Sequence, residues 1–519
     1  MKVFNYISAF LLAGAAIVVS CSQNEEMEGM ESSQNFQINV FDGGYQNIDA
    51  VGTRAAEKDY STEFVTGDAI GVFAVKNGTV VEDINNRRFV MDDGIWELND
   101  DGEVISYKAN EFERMKFYAY YPYSEDATFD PSKDDPFETY VKDWKIGNDQ
   151  NENYTKYDLM TSKGEVQGDR LKGKIAFTMQ HRMALAVIQM PEIVYSFTNE
   201  PAIDDYKLPV AVGDFNVDGA SAKPFYQEST DAYRFLVKPS TTFTITGSYT
   251  GVKEMNYEIK KTLEGGTAKK YVIEDPNKIS HLLAVGDYYC ADGKIVSASE
   301  SAPANVIGVV FYAGNPQPSV THPEKYNSDN DPLRRDCPEC KHGLVMALNN
   351  TQADMSIYGG TALYHGAGGE KYIGCNTGNK TLPNSMYPGF LGYNNTELLK
   401  LFYGTGDAKR SEVAYEQIDS YLKNVPVPEF ASPWYIPCME ELNLMRDNMT
   451  TLNGIIEKVN GTQLATYETL KDGFYWSSNE RNNNTQWVHR MQADINGSWT
   501  RRDTSASGSY GYFRMMLAF

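Results

Sequence analysis

The stretch Gly67-Asp-Ala-Ile-Gly71-Val-Phe-Ala-Val75-Lys-Asn-Gly78 decides the fold class. Its apolar run, Ile70 to Val75, stops at Asn77-Gly78, a dipeptide suited to the tight turn of a β-hairpin. The run therefore reads as a strand. The same grammar extends outward on both sides. Phe36-Gln-Ile38-Asn-Val40 alternates apolar and polar residues, which turns one face of a strand inward. Phe117-Tyr-Ala-Tyr-Tyr121 runs into Pro122, which ends or edges a strand. Tyr233-Arg-Phe-Leu-Val237 stops before Pro239, and Phe243-Thr-Ile245-Thr before Gly247. No helical periodicity separates these runs, and a parallel sheet needs helices between its strands. Residues 36–285 are therefore expected to form β-sandwich domains.

The texture changes after about Leu283. Glycine becomes frequent and five of the six cysteines appear. Ala414, Ile418, Tyr421, Leu422 and Val425 share a helical stripe, and so do Leu442, Met445, Met449, Leu452, Ile456 and Val459. The second helix would start at Cys438, with Glu441 three residues later. A serine at 438 would complete a capping box, and a thiol is a poorer cap. Phe474-Tyr-Trp476 and Phe513-Arg-Met-Met-Leu517 return to strand.

The chain has 519 residues with 47 basic and 70 acidic side chains, a net charge of −23. At ~150 residues per domain this length suits about three domains. The apolar share of 41%, raised to about 49% by the 42 glycines, is ordinary for a folded chain. The acidic balance argues against nucleic acid, whose phosphates it would repel. It gives no support for docking to an anionic membrane surface. The 35 Tyr and 24 Phe favour β structure and suit a binding surface.

Lys2 followed by an apolar run from Ile7 to Val19 matches the h-region of a secretory signal, and the run is short for a membrane-spanning helix. Val19-Ser20-Cys21 resembles a bacterial lipobox, which implies lipidation of Cys21 and an outer-membrane anchor made stable by more than one acyl chain. Residues 22–35 are polar and acidic and read as a tether. Without Cys21, five cysteines remain, an odd number that means at least one free thiol or an intermolecular bond unless a metal intervenes.

Several segments, in this order and spacing, resemble the fimbrillin family of Bacteroidales-type pilus subunits. They are Gly52-Thr-Arg54-Ala55, Gly67-Asp68 through Val75, Trp96, Phe117 through Tyr123, Tyr157-Asp158-Leu-Met160 and Phe177-Thr-Met-Gln-His181-Arg-Met-Ala. The resemblance implies a lipoprotein precursor with two transthyretin-like β-sandwich domains. It also implies surface cleavage after Arg54, giving Ala55 as the new N-terminus. The vacated groove would then accept a strand from another subunit. Trp434-Tyr-Ile-Pro437 and Phe474-Tyr-Trp476-Ser-Ser478 resemble the lectin-like C-terminal modules of bacterial surface adhesins. These imply an α+β, C-type-lectin-like domain that would hinder donation of a C-terminal strand.

The expected organisation is a signal peptide at 1–20, a lipidated tether and removable strand at 21–54, sandwiches at 55–170 and 171–285, and the lectin-like domain at 286–519. The class is mainly β. Trp476 reads as core. Trp487 and Trp499, flanked by polar residues, are the candidate ligand-binding surface with Asn482, Asn483 and Arg490, because aromatic faces stack on sugars while amide and charged groups take hydroxyls. Glu480 with Asn482 and Asn483 offers oxygen ligands for Ca²⁺, but the Glu-Pro-Asn signature of calcium-dependent lectins is missing. Asn327-Ser-Asp329-Asn-Asp331 is a second such pattern, of a kind common in acidic turns. No cofactor is expected, with calcium as the alternative.

Cys337-Pro-Glu-Cys340-Lys-His342 could hold zinc only with a fourth ligand such as Cys375 or His365. In an exported chain a disulfide is the plainer outcome, between Cys337 and Cys340 or between one of them and Cys375. No Gly-x-Ser-x-Gly, His-Glu-x-x-His or phosphate-binding loop occurs, so no catalytic residues are named and the protein is not read as an enzyme. His181 reads as structural. The expected function is a pilus tip subunit and cell-surface adhesin. It would assemble with other pilus subunits by strand exchange and bind a glycan or a host or microbial surface protein. The alternative is a non-polymerising, surface glycan-binding lipoprotein for nutrient capture. The expected location is the outer membrane, then the fimbrium after processing.

Overall fold

Every second residue of the strand Lys174–His181 is buried: Ile175, Phe177, Met179 and His181. That is the period of a strand with one face on a core. The computed structural model describes residues 37–47, 60–100, 105, 114–167, 174–354, 389–402, 419–466, 469, 474–482, 485–491, 499–503 and 510–519. The protein is mainly β, as the alternation predicts, and its helices are short. No described helix is long and apolar enough to cross a membrane.

The chain divides into two units. One comprises the residues up to Ile188 with Phe215–Ile245 and Ile259–Tyr271; the other comprises Gln189–Asp214, Thr246–Glu258 and Val272–Phe519. The division falls inside the strands Ala211–Val217, Thr242–Thr250 and Glu254–Thr262.

The first unit is built on a nine-stranded sheet. Its order is Thr79–Val80, Ala69–Lys76, Arg87–Asp92, Ile95–Leu98, Gln37–Asp42, Lys174–His181, Met160–Ser162, Met115–Tyr121 and Val166–Gln167. Ala69–Lys76 also pairs with Met115–Tyr121, which closes the order on itself. The run Ile70–Val75 is thus a strand, and Asn77 and Gly78 both take positive φ in the turn that follows, as a hairpin requires. Ile38, Ile70, Val72, Phe89, Trp96, Phe117, Met160, Ile175, Phe177 and Met179 join in one core. A second core gathers Tyr45, Phe73, Tyr120, Phe137, Leu185 and Leu236. It lies with the five-stranded sheet Phe225–Gln227, Ala232–Val237, Ala184–Gln189, Thr267–Val272 and Gln46–Asn47.

The second unit holds a three-stranded sheet, Tyr206–Pro209, Glu192–Phe197 and Lys278–His281, and two five-stranded sheets. One has the order Ile295–Val296, Tyr288–Cys290, Val306–Ala313, Gly343–Ala347 and Met516–Ala518. The other has the order Thr351–Asp354, Tyr510–Phe513, Tyr475–Asn482, Thr485–His489 and Trp499–Asp503. The expected strand Phe513–Leu517 is therefore two strands in different sheets. The chain changes sheets at the fully buried Arg514, whose guanidinium donates to the carbonyls of Ala347, Leu348 and Thr462.

The expected helix from Leu442 to Val459 is also two pieces, Met439–Asp447 and Met449–Lys458, broken at Asn448, whose side chain donates to the Leu444 carbonyl. Of the expected helix at 414–425, residues 419–425 are described; 419–424 are helical and Val425 lies in the bend that follows. The start at Cys438 does not rely on the thiol alone. Its N–H donates to the Glu441 carboxyl at 2.6 Å, and the Met439 N–H donates to Asn479 Oδ1 at 2.7 Å, from the strand Tyr475–Asn482. Burial pushes the Glu441 carboxyl up to about 7.

Candidate functional site

Two places in the fold carry features that packing alone does not require. The first is the seat of the N-terminal strand in the first unit. Gln37–Asp42 pairs in parallel along Lys174–His181, from Gln37 opposite Lys174 to Asp42 opposite Met179. On its other side Ile38 pairs with Trp96. The strand is thus an inner member of the closed sheet, and a parallel neighbour is what a segment arriving from outside a hairpin would give. Ile38 is buried, while Phe41 on the opposite face is 58% exposed.

The strand ends on a buried ionic cluster. Asp42 lies 3.0 Å from His181 Nε2, and Asp158 lies 2.9 Å from His181 Nδ1. All three side chains are almost wholly buried. Burial alone would hold the imidazole pKa down, but the charge of Asp158 and the hydrogen bonds from Asp158 and Asp42 outweigh it and push it up to about 9. For Asp42, burial works upward, and the His181 pairing with the Thr62 and Gly44 amides holds it below the usual carboxylate range. Tyr45 stacks on His181 with ring centroids 3.8 Å apart, and its hydroxyl donates to Asp158 at 2.7 Å. Between them, Gly43 donates its N–H to the Met179 carbonyl, and a Cβ on Gly43 would lie 2.6 Å from that oxygen. Gly44 takes φ +70°, the left-handed region that glycine tolerates.

His181 was legible as a strand residue. Asp42, Tyr45 and Asp158 as its partners were not, although Asp42-Gly-Gly-Tyr45 directly after an alternating strand is a distinctive pattern. Arg54 and Ala55, the expected processing site, and Cys21 lie outside the described residues.

The second place is the tryptophan-bearing sheet of the second unit. Trp476 is fully buried, as expected of core. Trp487 is half-buried on Thr485–His489, followed by the buried Val488 and His489 and then by the half-buried Arg490. The backbone register sets Trp487 opposite Arg501, His489 opposite Trp499, and Asn482 opposite Thr485. Positions 482, 487 and 499 thus lie on three consecutive strands of one sheet, with 490 at the end of the middle one. Asn483 lies outside the described residues.

Cys337 and Cys340 stand as thiols beside one another; Cys375 lies outside the described residues. The Cys340 thiol donates to the Ala518 carbonyl at 3.2 Å. In the acidic turn, Asp331 is buried and accepts from the Ser319 and Arg334 amides, capping the helix Pro332–Asp336. No group of three metal-ligating side chains occurs among the described residues.

The chain's last strand is also tightly held. Met516–Ala518 pairs with Gly343–Ala347, and Met516 bridges to Tyr435 on the other side. Phe519 is fully buried, and its carbonyl accepts from the His342 N–H at 2.8 Å.

A family profile described as fimbrillin-like matches residues 53–283. A Bacteroides ovatus protein bearing the name "Putative fimbrium tip subunit Fim1C" is 33% identical over 540 residues, covering 97% of each chain. Among solved structures, a fimbrial protein from Bacteroides ovatus matches 94% of this chain and 100% of its own length, with TM-score 0.61 and 29% identity.

Proposed function

Because this chain belongs to the fimbrillin-like family, we propose that it is a fimbrial tip subunit that accepts a strand from a neighbouring subunit and keeps its own last strand. The observation that carries this reading is the packing of residues 515–519. Met515, Leu517 and Phe519 enter one core of the second unit and Met516 and Ala518 the other. A segment buried on both faces and paired on both sides is not free to complete another subunit. A subunit that accepts and does not donate ends a filament.

In this reading the precursor is exported and lipid-anchored at Cys21 in the outer membrane. Cleavage between Arg54 and Ala55 removes the lipid together with Gln37–Asp42, and the opened sheet takes the incoming strand by β-augmentation. The first family-matched region supplies the sandwiches for assembly. The region beyond about residue 285 is lectin-like, and the sheet bearing Trp487, Trp499, Asn482 and Arg490 with the neighbouring Asn483 takes a glycan or a surface protein. Fold resemblance alone does not assign a ligand; the aromatic and amide chemistry of these positions supports a carbohydrate.

Immunogold labelling of an epitope-tagged chain tests the proposal. Label at one end of surface filaments, with Ala55 as the N-terminus of the filament-bound form, is the expected result. Label spread over the cell surface with no filament association would favour the non-polymerising lipoprotein instead.

A further inference from the structure

Removing the segment 37–47 would do more than open a groove. It would strip His181 of one of its two carboxylates and of the ring stacked upon it. The imidazole would stay in the wall of the slot, on the buried face of Lys174–His181 that carries Ile175, Phe177 and Met179. Its Nδ1 would still meet Asp158. Its Nε2 would face the emptied position. A buried donor without an acceptor costs the desolvation of that group, and the cost is greater when the group is charged. With the segment seated, Asp158 and Asp42 together hold the charge on His181 against its burial, so the pairing is part of the seat.

On the strand-exchange reading above, we propose that His181 is the residue by which the slot selects its incoming strand, admitting an extended segment with a carboxylate in the register of Asp42. Three further features of the seat narrow the partner. An apolar residue is needed four positions before the carboxylate, where Ile38 is buried against the Ile175 and Trp96 strands. Glycine is needed directly after it, because a Cβ at Gly43 would strike the Met179 carbonyl. An aromatic ring three positions after it completes the stack on His181 and, if a phenol, the hydrogen bond to Asp158. The occupant is thus an acidic, glycine-containing strand of another subunit, with the pattern apolar-x-x-x-Asp-Gly-x-aromatic. Apolar alternation alone would allow a slip of register. A buried charge pair at one position fixes it.

The test uses the chain with a specific protease sequence inserted between residues 54 and 55, nicked after folding so that the native segment remains seated without a covalent link. Fluorescent peptides of residues 36–47, unaltered or carrying Asp42→Asn or Asp42→Ala, are then offered in competition with that segment. Incorporation is read by anisotropy. The unaltered peptide is expected to incorporate, with Asp42→Ala weaker by about 10- to 100-fold, the span of one charged hydrogen bond. Because these changes sit in the peptide, the host keeps its fold. In a His181→Gln host the gap between unaltered and Asp42→Ala peptides should shrink to within about threefold, since the charge they report on is gone. Equal incorporation of all peptides in the unaltered host would overturn the selection role and leave strand exchange standing. An undiminished gap in the His181→Gln host would do the same. Failure of every peptide to enter the nicked chain would overturn strand exchange and the selection role with it.

Discussion

His181 is a charged side chain in a place where water does not reach, so its protonation is coupled to folding. Its folded pKa lies near 9 against an ordinary value near 6.5. A raised pKa contributes stability that is whole below about 6.5 and is lost as pH rises through about 9. A shift of this size corresponds to about 3 kcal/mol. Urea unfolding of the first unit should therefore weaken by about that amount between pH 6 and pH 9.5. His181→Gln should be less stable at pH 6 and flat across the same window; an equally steep profile in the variant would refute the assignment. Asp42 acts in the opposite direction, since its pKa is lowered: its share is present at neutral pH and is lost as pH falls through its folded value. The phenols facing the cluster, Tyr45 and Tyr154, are raised by burial and then by Asp158, so they stay neutral throughout. Sequence reading could find the histidine but not the cluster. Asp158 precedes it by 23 residues and Asp42 by 139, and no local spacing joins groups so far apart.

At the scale of elements, strands of the first unit could be read from two signals. One is an apolar run closed by a turn, as in Ala69–Lys76, which is buried through its middle. The other is strict alternation. Lys174–His181 alternates without exception. Elements near Arg514 and Asn448 could not be read as well. Phe513 to Leu517 is apolar enough for one strand, yet Arg514 turns the chain between two sheets because three backbone carbonyls lie within its reach. Met516–Ala518 has consequences for stability. Met515, Met516, Leu517 and Phe519 are each fully buried. Burying four such side chains stabilises by ~6–12 kcal/mol, comparable to the whole stability of a domain. Ending the chain after Arg514 should therefore abolish hydrogen-exchange protection in Gly343–Ala347 and Val306–Ala313 while the first unit stays protected. Retained protection there would mean that this strand is dispensable, and the accept-only role would lose its basis.

For the whole molecule, the proposed function places assembly in the first unit and recognition in the second, so the two should separate by mutation. Trp487→Ala removes a half-buried ring from the candidate surface of the second unit. On a glycan array the variant is expected to lose at least tenfold in signal for whichever sugars the unaltered chain binds. Its position at filament ends should not change. Unchanged binding in both Trp487→Ala and Trp499→Ala would remove this surface from consideration. Neither unit is a single run of sequence, since each takes three separate stretches of the chain. Composition changes along a sequence report where the chain turns from one texture to another, and a unit assembled from separate stretches has no such edge. The net charge of −23 argues against nucleic acid as a partner and carries no information about the ligand.

The parallel ladder between Gln37–Asp42 and Lys174–His181 has a mechanical meaning. A pull on the chain ahead of Gln37 runs along the strand axis, across its hydrogen bonds and not along them. The rungs are then loaded together, in shear, instead of opening one by one like a zipper. Rupture under such a load requires the rungs to fail at once, and it is governed by an unfolding rate more than by an equilibrium. A strand of like geometry in the same slot would inherit that resistance, which is what a surface filament in flowing fluid has to supply.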